Sequence, residues 1–129
     1  MTSKRLRRLR WALVPVALIL LSVIWLRSRV PTPGSSTAAV LEAAADQWWH
    51  PGVGSRTINE DEWPPELRKL GPESVRVSNT GVYIQFGSFM VSEWGLFIPP
   101  SRSDFQPTPG SDPSFRHLRG RVYQYDIAG

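Results

Sequence analysis

The sequence predicts an α+β fold in which an N-terminal transmembrane helix precedes a small antiparallel β-sheet packed with one or two helices. Three observations support this prediction. Residues 11–26 form an uncharged apolar run, residues 38–70 contain two stretches of helical composition, and apolar residues alternate after Glu73. Because the strands follow the helices instead of alternating with them, the sheet is expected to be antiparallel, with helix on one face.

Charge is distributed unevenly along the 129 residues. The first 30 residues contain seven Lys or Arg and no acid, whereas the remainder contains eight cations and eleven acids, a net charge of −3. The basic character therefore belongs to the N-terminal segment, so nucleic acid is not an expected partner of the domain. The chain has no cysteine, which excludes a disulfide-stapled fold.

The run WALVPVALILLSVIWL at residues 11–26 follows a basic segment at 1–10 and precedes Arg-Ser-Arg. Sixteen helical residues span ~24 Å, which is shorter than a hydrocarbon core of ~30 Å. Extended arginine side chains at the two ends and local thinning of the bilayer close this gap. Membrane lipid is therefore the expected partner of residues 11–26.

The flanks of this run suit the two membrane interfaces, where indoles and long cationic side chains are typical. The flanking residues expected there are Arg10, Trp11, Trp25 and Arg27. The excess of cations before the run predicts a cytoplasmic N-terminus and an outer C-terminal domain. A cleaved signal peptide is the alternative, but arginine and proline follow the run where small residues are needed for cleavage.

The segments after the run are predicted to be a linker over 27–37 and a domain over 38–129. PTPGSST combines stiff proline with flexible Gly-Ser, as linkers do. AAVLEAAADQWW is rich in helix formers, which predicts a helix starting near Ala38. PPELRKLGP predicts a second, short helix, with proline in its first turn and Gly71 as its C-terminal cap.

The strands are predicted from alternation of apolar residues. SVRVS and VYIQF, joined by the turn sequence Asn-Thr-Gly, predict a β-hairpin over residues 74–86. Further strand is predicted at 89–91 and 95–98, with an interruption around 92–95, and RVYQYDIA predicts a final strand. Residues 101–119 are polar and contain proline, so they are expected to form a long loop.

The sequence carries no catalytic constellation, and no catalytic residue, metal site or cofactor is predicted. His50 and His117 are expected to lie at a helix end and in a loop. The acidic run 60–62 is expected to be solvated. Glu93 interrupts an apolar stretch, so a small hydrolase using Glu93 or a histidine is kept as an alternative to a non-catalytic protein.

Tryptophan is frequent in the outer domain. Core packing is the expected default, but an indole at the surface stacks on sugars or anchors a partner. The candidate binding residues are Trp48, Trp49, Trp63 and Trp94. Trp48 and Trp49 are adjacent and cannot both face inward on one helix, so one is expected at the surface. An envelope glycan is therefore a second alternative ligand.

Residues 63–100 combine a Trp-Pro-Pro-x-Leu helix, a Ser-Val-x-Val strand, a Gly-x-Tyr-Ile-x-x-Gly-Ser-Phe segment and a Gly-Leu-Phe tail. This pattern resembles that of small membrane-anchored bacterial proteins with no assigned activity. The resemblance implies a bacterial source and a compact module, and it supplies no cofactor or catalytic residue. With the apolar run it predicts a protein of the bacterial cytoplasmic membrane that binds or assembles with another envelope protein.

Overall fold

The computed structural model describes residues 2–27, 30–52 and 54–129. Within them the helices are α1 Thr2–Arg27, α2 Ser35–Trp48 and α3 Pro65–Leu70, with a 3-10 turn at Glu60–Glu62. The strands are β1 Arg56–Thr57, β2 Ser74–Val77, β3 Val82–Phe89, β4 Ser92–Ile98, β5 Ser114–Arg119 and β6 Val122–Ile127. The predicted α+β class is therefore confirmed.

The strands form one antiparallel sheet in the order β1-β2-β3-β4-β6-β5. The predicted hairpin is present, because Val75 of β2 pairs with Ile84 of β3 and Val77 pairs with Val82. The final strand β6 pairs with β4 on one side and with β5 on the other. The central strand β4 thus lies between the β2–β3 hairpin and the β5–β6 hairpin.

The course of β4 differs from the prediction. The strand is continuous from Ser92 to Ile98, and the chain reverses at residues 90–91 instead of breaking at 92–95. Gly95 lies inside the strand because the Tyr125 ring and the Ile84 carbonyl occupy the space that a side chain would need. The glycine therefore marks a close approach of the Ile84 carbonyl and the Tyr125 ring and not a turn.

Two edge strands, β1 and β5, were not predicted. β5 lies in the segment 101–119, which was expected to be loop, and its fully buried side chain is Phe115. A strand with one buried residue among polar neighbours shows no clear alternation. β1 has two residues, both exposed, too few to produce a pattern.

One face of the sheet is covered by α2 and α3. The side chains that α2 buries are spaced as predicted: Ala38, Leu41, Ala44, Ala45 and Trp48. They pack on apolar residues of the sheet, including Val75, Ile84, Leu96 and Ile98. α3 ends at Gly71 in the left-handed conformation (φ 71°), as predicted for its C-terminal cap.

The opposite face carries an aromatic cluster of Tyr83, Phe97, Phe115 and Tyr125. The Phe97 ring centroid lies 4.7 Å from those of both Tyr83 and Phe115. Phe105, from the connection between β4 and β5, packs edge-on against Phe97 and Phe115. Both faces of the central strands are therefore covered, one by helices and the other by aromatic rings.

Packing of the domain begins within the predicted linker. Val30 packs against the core under α2, and Pro33 is buried. α2 begins at Ser35, three residues before Ala38. Ser28 and Arg29 of the predicted linker lie outside the described residues. Of the residues after α1 that the structure describes, Val30 is the first that packs against the core, three positions beyond Arg27.

α1 is helical over Thr2–Arg27 and includes Pro15. Its large apolar side chains that the structure describes are 52–75% exposed, including those of Trp11 and Trp25. The side chains of Arg10 and Arg27 lie outside the described part of the chain. Among the described residues, no helix has the length and apolar character needed to span a membrane. The membrane crossing of residues 11–26 stays a prediction.

We expect Gly95→Ala to destabilise the domain severely, because the added methyl group would collide with the Ile84 carbonyl and the Tyr125 ring. The loss in the free energy of unfolding should be about 3 kcal/mol or more, since the obstacle is partly backbone. Gly54→Ala is the matched control, because its added methyl group meets nothing within 4 Å. Urea denaturation of both variants measures the difference, and equal stabilities would contradict the prediction.

Candidate functional site

A cleft of about 340 Å³ opens on the helix-covered face, between α3 and the second half of β3. Its lining residues are Leu70, Gly71, Glu73, Phe86, Gly87, Ser88 and Trp94. The Trp94 indole lies on Gly87, where a Cβ atom would come within 2.5–2.6 Å of the ring. The glycine therefore allows a large ring to rest directly on the neighbouring strand.

A β-bulge in β3 shapes this cleft. Gln85 pairs with Gly95 and Gly87 pairs with Trp94, so two residue steps of β3 lie opposite one step of β4. Phe86 is the extra residue, and its side chain is half-buried in the cleft wall. Bulges redirect side chains in this way, and the cleft is the result.

The rim of the cleft is polar. Gln85 Nε2 donates a hydrogen bond to Glu73 Oε2 at 3.3 Å, and Ser74 Oγ donates to Gln85 Oε1 at 3.0 Å. These contacts orient the Glu73 carboxylate, while the Ser88 side chain on the same rim is exposed. The site thus combines an apolar floor with an oriented carboxylate.

The four tryptophans predicted as binding residues are all buried, with 2–8% of each residue exposed. Trp48 and Trp49 both lie in the core, contrary to the expectation that one would be at the surface. The reason is that α2 ends at Trp48 and Trp49 has an extended backbone (φ −87°, ψ 129°), which changes the direction of its side chain. Glycan binding by Trp48, Trp49, Trp63 and Trp94 stays a prediction, and their burial disfavours stacking on a sugar.

Glu93 lies on the other face of the sheet, where it has two partners. Arg76 Nη1 donates to Glu93 Oε1 at 2.7 Å, and the Tyr125 hydroxyl donates to the same oxygen at 2.6 Å. The Arg76 guanidinium also stacks over the Tyr83 ring at 4.7 Å from its centroid. Sequence reasoning missed this network because its members come from four different strands.

Two tyrosines of this network have raised pKa values. Burial raises the pKa of Tyr125, and the hydrogen bond to Glu93 and its negative charge raise it further. Burial also raises the pKa of Tyr83. Because one Glu93 oxygen accepts from both Arg76 and Tyr125, the geometry favours a structural lock between strands over a general base, whose lone pair must face substrate.

A second polar cluster attaches α2 to the turn between β5 and β6. Arg121 donates to both carboxylate oxygens of Asp46 at 3.0 Å, and the Ser101 amide donates to Asp46 Oδ1 at 2.8 Å. The Arg121 amide donates to Glu42 Oε1 at 2.7 Å. Burial of Asp46 opposes its ionisation, but the Arg121 and Ser101 contacts outweigh this effect and lower the pKa of Asp46.

The histidines take separate positions. His50 is exposed just after α2, as predicted. His117 belongs to β5 and not to a loop, and its Nε2 lies 2.8 Å from the Gly120 carbonyl oxygen. In the described part of the chain, no group of three or more His, Asp or Glu side chains is placed to hold a metal ion.

Comparisons of the chain with protein-family models, with curated proteins and with solved structures find no match. The resemblance carried by residues 63–100 therefore stays a prediction. Inference about function therefore rests on the geometry of the cleft and of its surroundings.

We expect acid to weaken the attachment of α2. A lowered pKa in the folded state gives stability that is complete above the ordinary value of 3.8 and is lost as pH falls through the folded-state pKa of Asp46. Asp46→Asn should cost about 1 kcal/mol at neutral pH, because solvent screens the partly exposed pair, and should reduce the loss of stability below about pH 4. Urea denaturation of both proteins at neutral pH and below about pH 4 tests these two expectations. The variant Asp104→Asn, at an exposed position, is the control.

We expect two of the three tyrosines to resist ionisation in the native protein, because the pKa values of Tyr83 and Tyr125 are raised. At about pH 11, phenolate absorbance should be lower for the native than for the denatured protein. Tyr83→Phe and Tyr125→Phe should each reduce that difference. The raised pKa values also contribute to the free energy of unfolding. This contribution is fully present below the unfolded-state pKa of about 10 and falls as pH rises above it. Equal native and denatured absorbance would contradict the assignment.

Proposed function

We propose that this chain is a single-pass protein of the bacterial cytoplasmic membrane whose outer α+β domain binds another envelope protein through the cleft between α3 and β3. The observation that carries the proposal is the combination of an apolar floor and an oriented carboxylate in one surface cleft. The role is binding or assembly and not catalysis.

Support for the membrane anchor comes from the sequence and from α1. Residues 11–26 contain no charged residue and follow five cations. The large apolar side chains described on α1 are more than half exposed, and such a helix gains by transfer to hydrocarbon. The cation asymmetry favours a cytoplasmic N-terminus, with the domain outside.

The chemistry of the cleft favours a protein segment as ligand. Leu70 and Phe86 are half-buried, so a ligand that covers them gains by removing apolar surface from water. A volume of about 340 Å³ accommodates a few side chains. Glu73 at the rim offers an acceptor for a cation. The expected partner segment therefore presents an apolar side chain beside Lys or Arg.

The lining residues do not form a nucleophile and base pair. Ser88 borders the cleft but pairs with Glu93, which lies on the other face of the sheet, and the Glu73 carboxylate is hydrogen-bonded to Gln85. Nucleophilic catalysis needs a base within hydrogen-bond reach of the hydroxyl, oriented toward it. Binding is therefore the better-supported use of this cleft.

Position-specific cross-linking in intact cells tests the proposal. A photoreactive phenylalanine derivative at exposed Ser88 should cross-link to a defined envelope protein, and Glu73→Lys should reduce the yield at least about fivefold, since roughly 1 kcal/mol of charge complementarity is reversed. The same derivative at exposed Ser111, which lies outside the cleft lining, is the matched control.

A second control exchanges residues 1–27 for an unrelated membrane anchor and keeps Val30 with the domain. Retention of the Ser88 product would assign recognition to the domain. Equal products from the Ser88 and Ser111 positions, or no product from Ser88, would contradict binding at the cleft. Recovery of the intact chain in the soluble fraction would contradict the anchor.

A further inference from the structure

We propose that the tip of the β3–β4 hairpin inserts into the interface of the lipid bilayer that holds α1. The hairpin tip is Phe89, Met90 and Val91. The inference rests on the proposed membrane anchor and adds a second contact between the protein and the membrane.

The hairpin tip is unusually exposed for its composition. Phe89 is 43% exposed, Met90 89% and Val91 72%. Within residues 30–52 and 54–129, these three are the only large hydrophobic residues that the structure leaves exposed. Scattered exposed apolar residues are ordinary in proteins, but three consecutive ones at a protruding turn mark a contact surface.

The backbone that presents these side chains has an unfavourable conformation at Met90. Phe89 and Ser92 form the last pair of the ladder, so Met90 and Val91 make a two-residue turn. Met90 has φ 55°, in the left-handed region where glycine or asparagine is usual. Strain of this kind is typical of functional positions, and here it places a long, flexible apolar side chain at the apex.

α1 approaches the strand that leads to the tip. α1 and β3 approach each other within 8 Å between Cα atoms. Val30, three residues beyond Arg27, already packs against the core, and three residues span at most ~11 Å. The domain is therefore held close to the end of α1, and β3, whose far end carries the tip, is among the elements that α1 contacts.

The shape of the tip favours lipid over a protein pocket. A single turn with three apolar side chains offers much less surface than a stable protein interface buries, whereas an acyl-chain boundary adapts to a small convex group and adds to an existing anchor. Glu93, one residue beyond Ser92, is paired with Arg76 at 2.7 Å. Approach to lipid thus leaves that carboxylate with its partner.

Depth-dependent fluorescence quenching tests the proposal. The chain has no cysteine, so Met90→Cys creates a unique site for an environment-sensitive fluorophore. The labelled full chain is reconstituted in phosphatidylethanolamine and phosphatidylglycerol vesicles containing lipids with a nitroxide near the headgroup or at mid-chain. Asn79→Cys is the matched control, because this exposed residue lies in the hairpin turn at the other end of β3, ~26 Å away by strand rise.

The headgroup nitroxide should quench the label at position 90 at least threefold more than the label at position 79. Adding Phe89→Ser and Val91→Ser to Met90→Cys should remove the difference, while circular dichroism shows an unchanged fold because these side chains are exposed. Equal quenching at 90 and 79, or quenching at 90 that survives the two serines, would overturn the proposal.

A label at Leu18→Cys in α1 separates failure of the tip from failure of the anchor. Quenching at 18 by the mid-chain nitroxide, together with equal quenching at 90 and 79, would overturn the tip contact alone. Absence of quenching at 18 would overturn the anchor and, with it, the proposed insertion of the tip.

Discussion

The burial of both faces of β4 is the constraint on which the domain depends. Leu96 and Ile98 enter the core beneath the helices, and Phe97 enters the aromatic cluster on the opposite face. A strand buried on both sides needs a cover on each. α2 and α3 provide one cover, and aromatic rings, including Phe105 from a loop, provide the other. The order of the sheet follows, because β4 must lie between β3 and β6 and away from the edges.

Polar contacts at the periphery hold these covers in position. Asp46 and Arg121 attach α2, and Glu93 and Arg76 connect strands on the aromatic face. The side chains of both pairs remain 20–35% exposed, so neither pair bears the full desolvation cost of a buried ion pair. Among the described residues, the fully buried set contains no charged side chain. Partly solvated polar groups thus fix how α2 and the strands are oriented, and apolar packing holds the domain together.

Local features of the fold were predictable, and features that depend on distant residues were not. The Pro-Pro start and Gly71 end of α3, and the turn before β3, are encoded by neighbouring residues. β5 was missed because its burial involves one residue, Phe115. The cleft follows from a register shift opposite β4, and the partners of Glu93 come from other strands. Neither the shift nor those partners has a signal in a short stretch of sequence.

The packing of Val30, so close to the end of α1, affects how a protease could separate the domain from α1. Proteases act on extended, accessible chain. Val30 packs against the core and Pro33 is buried, so cleavage in this stretch requires the N-terminal edge of the domain to open first. Where opening and closing are fast relative to cutting, the cleavage rate scales with the population of the open state and so with the free energy of that local opening. The stability of this edge of the domain therefore sets how readily the chain between α1 and α2 is cut.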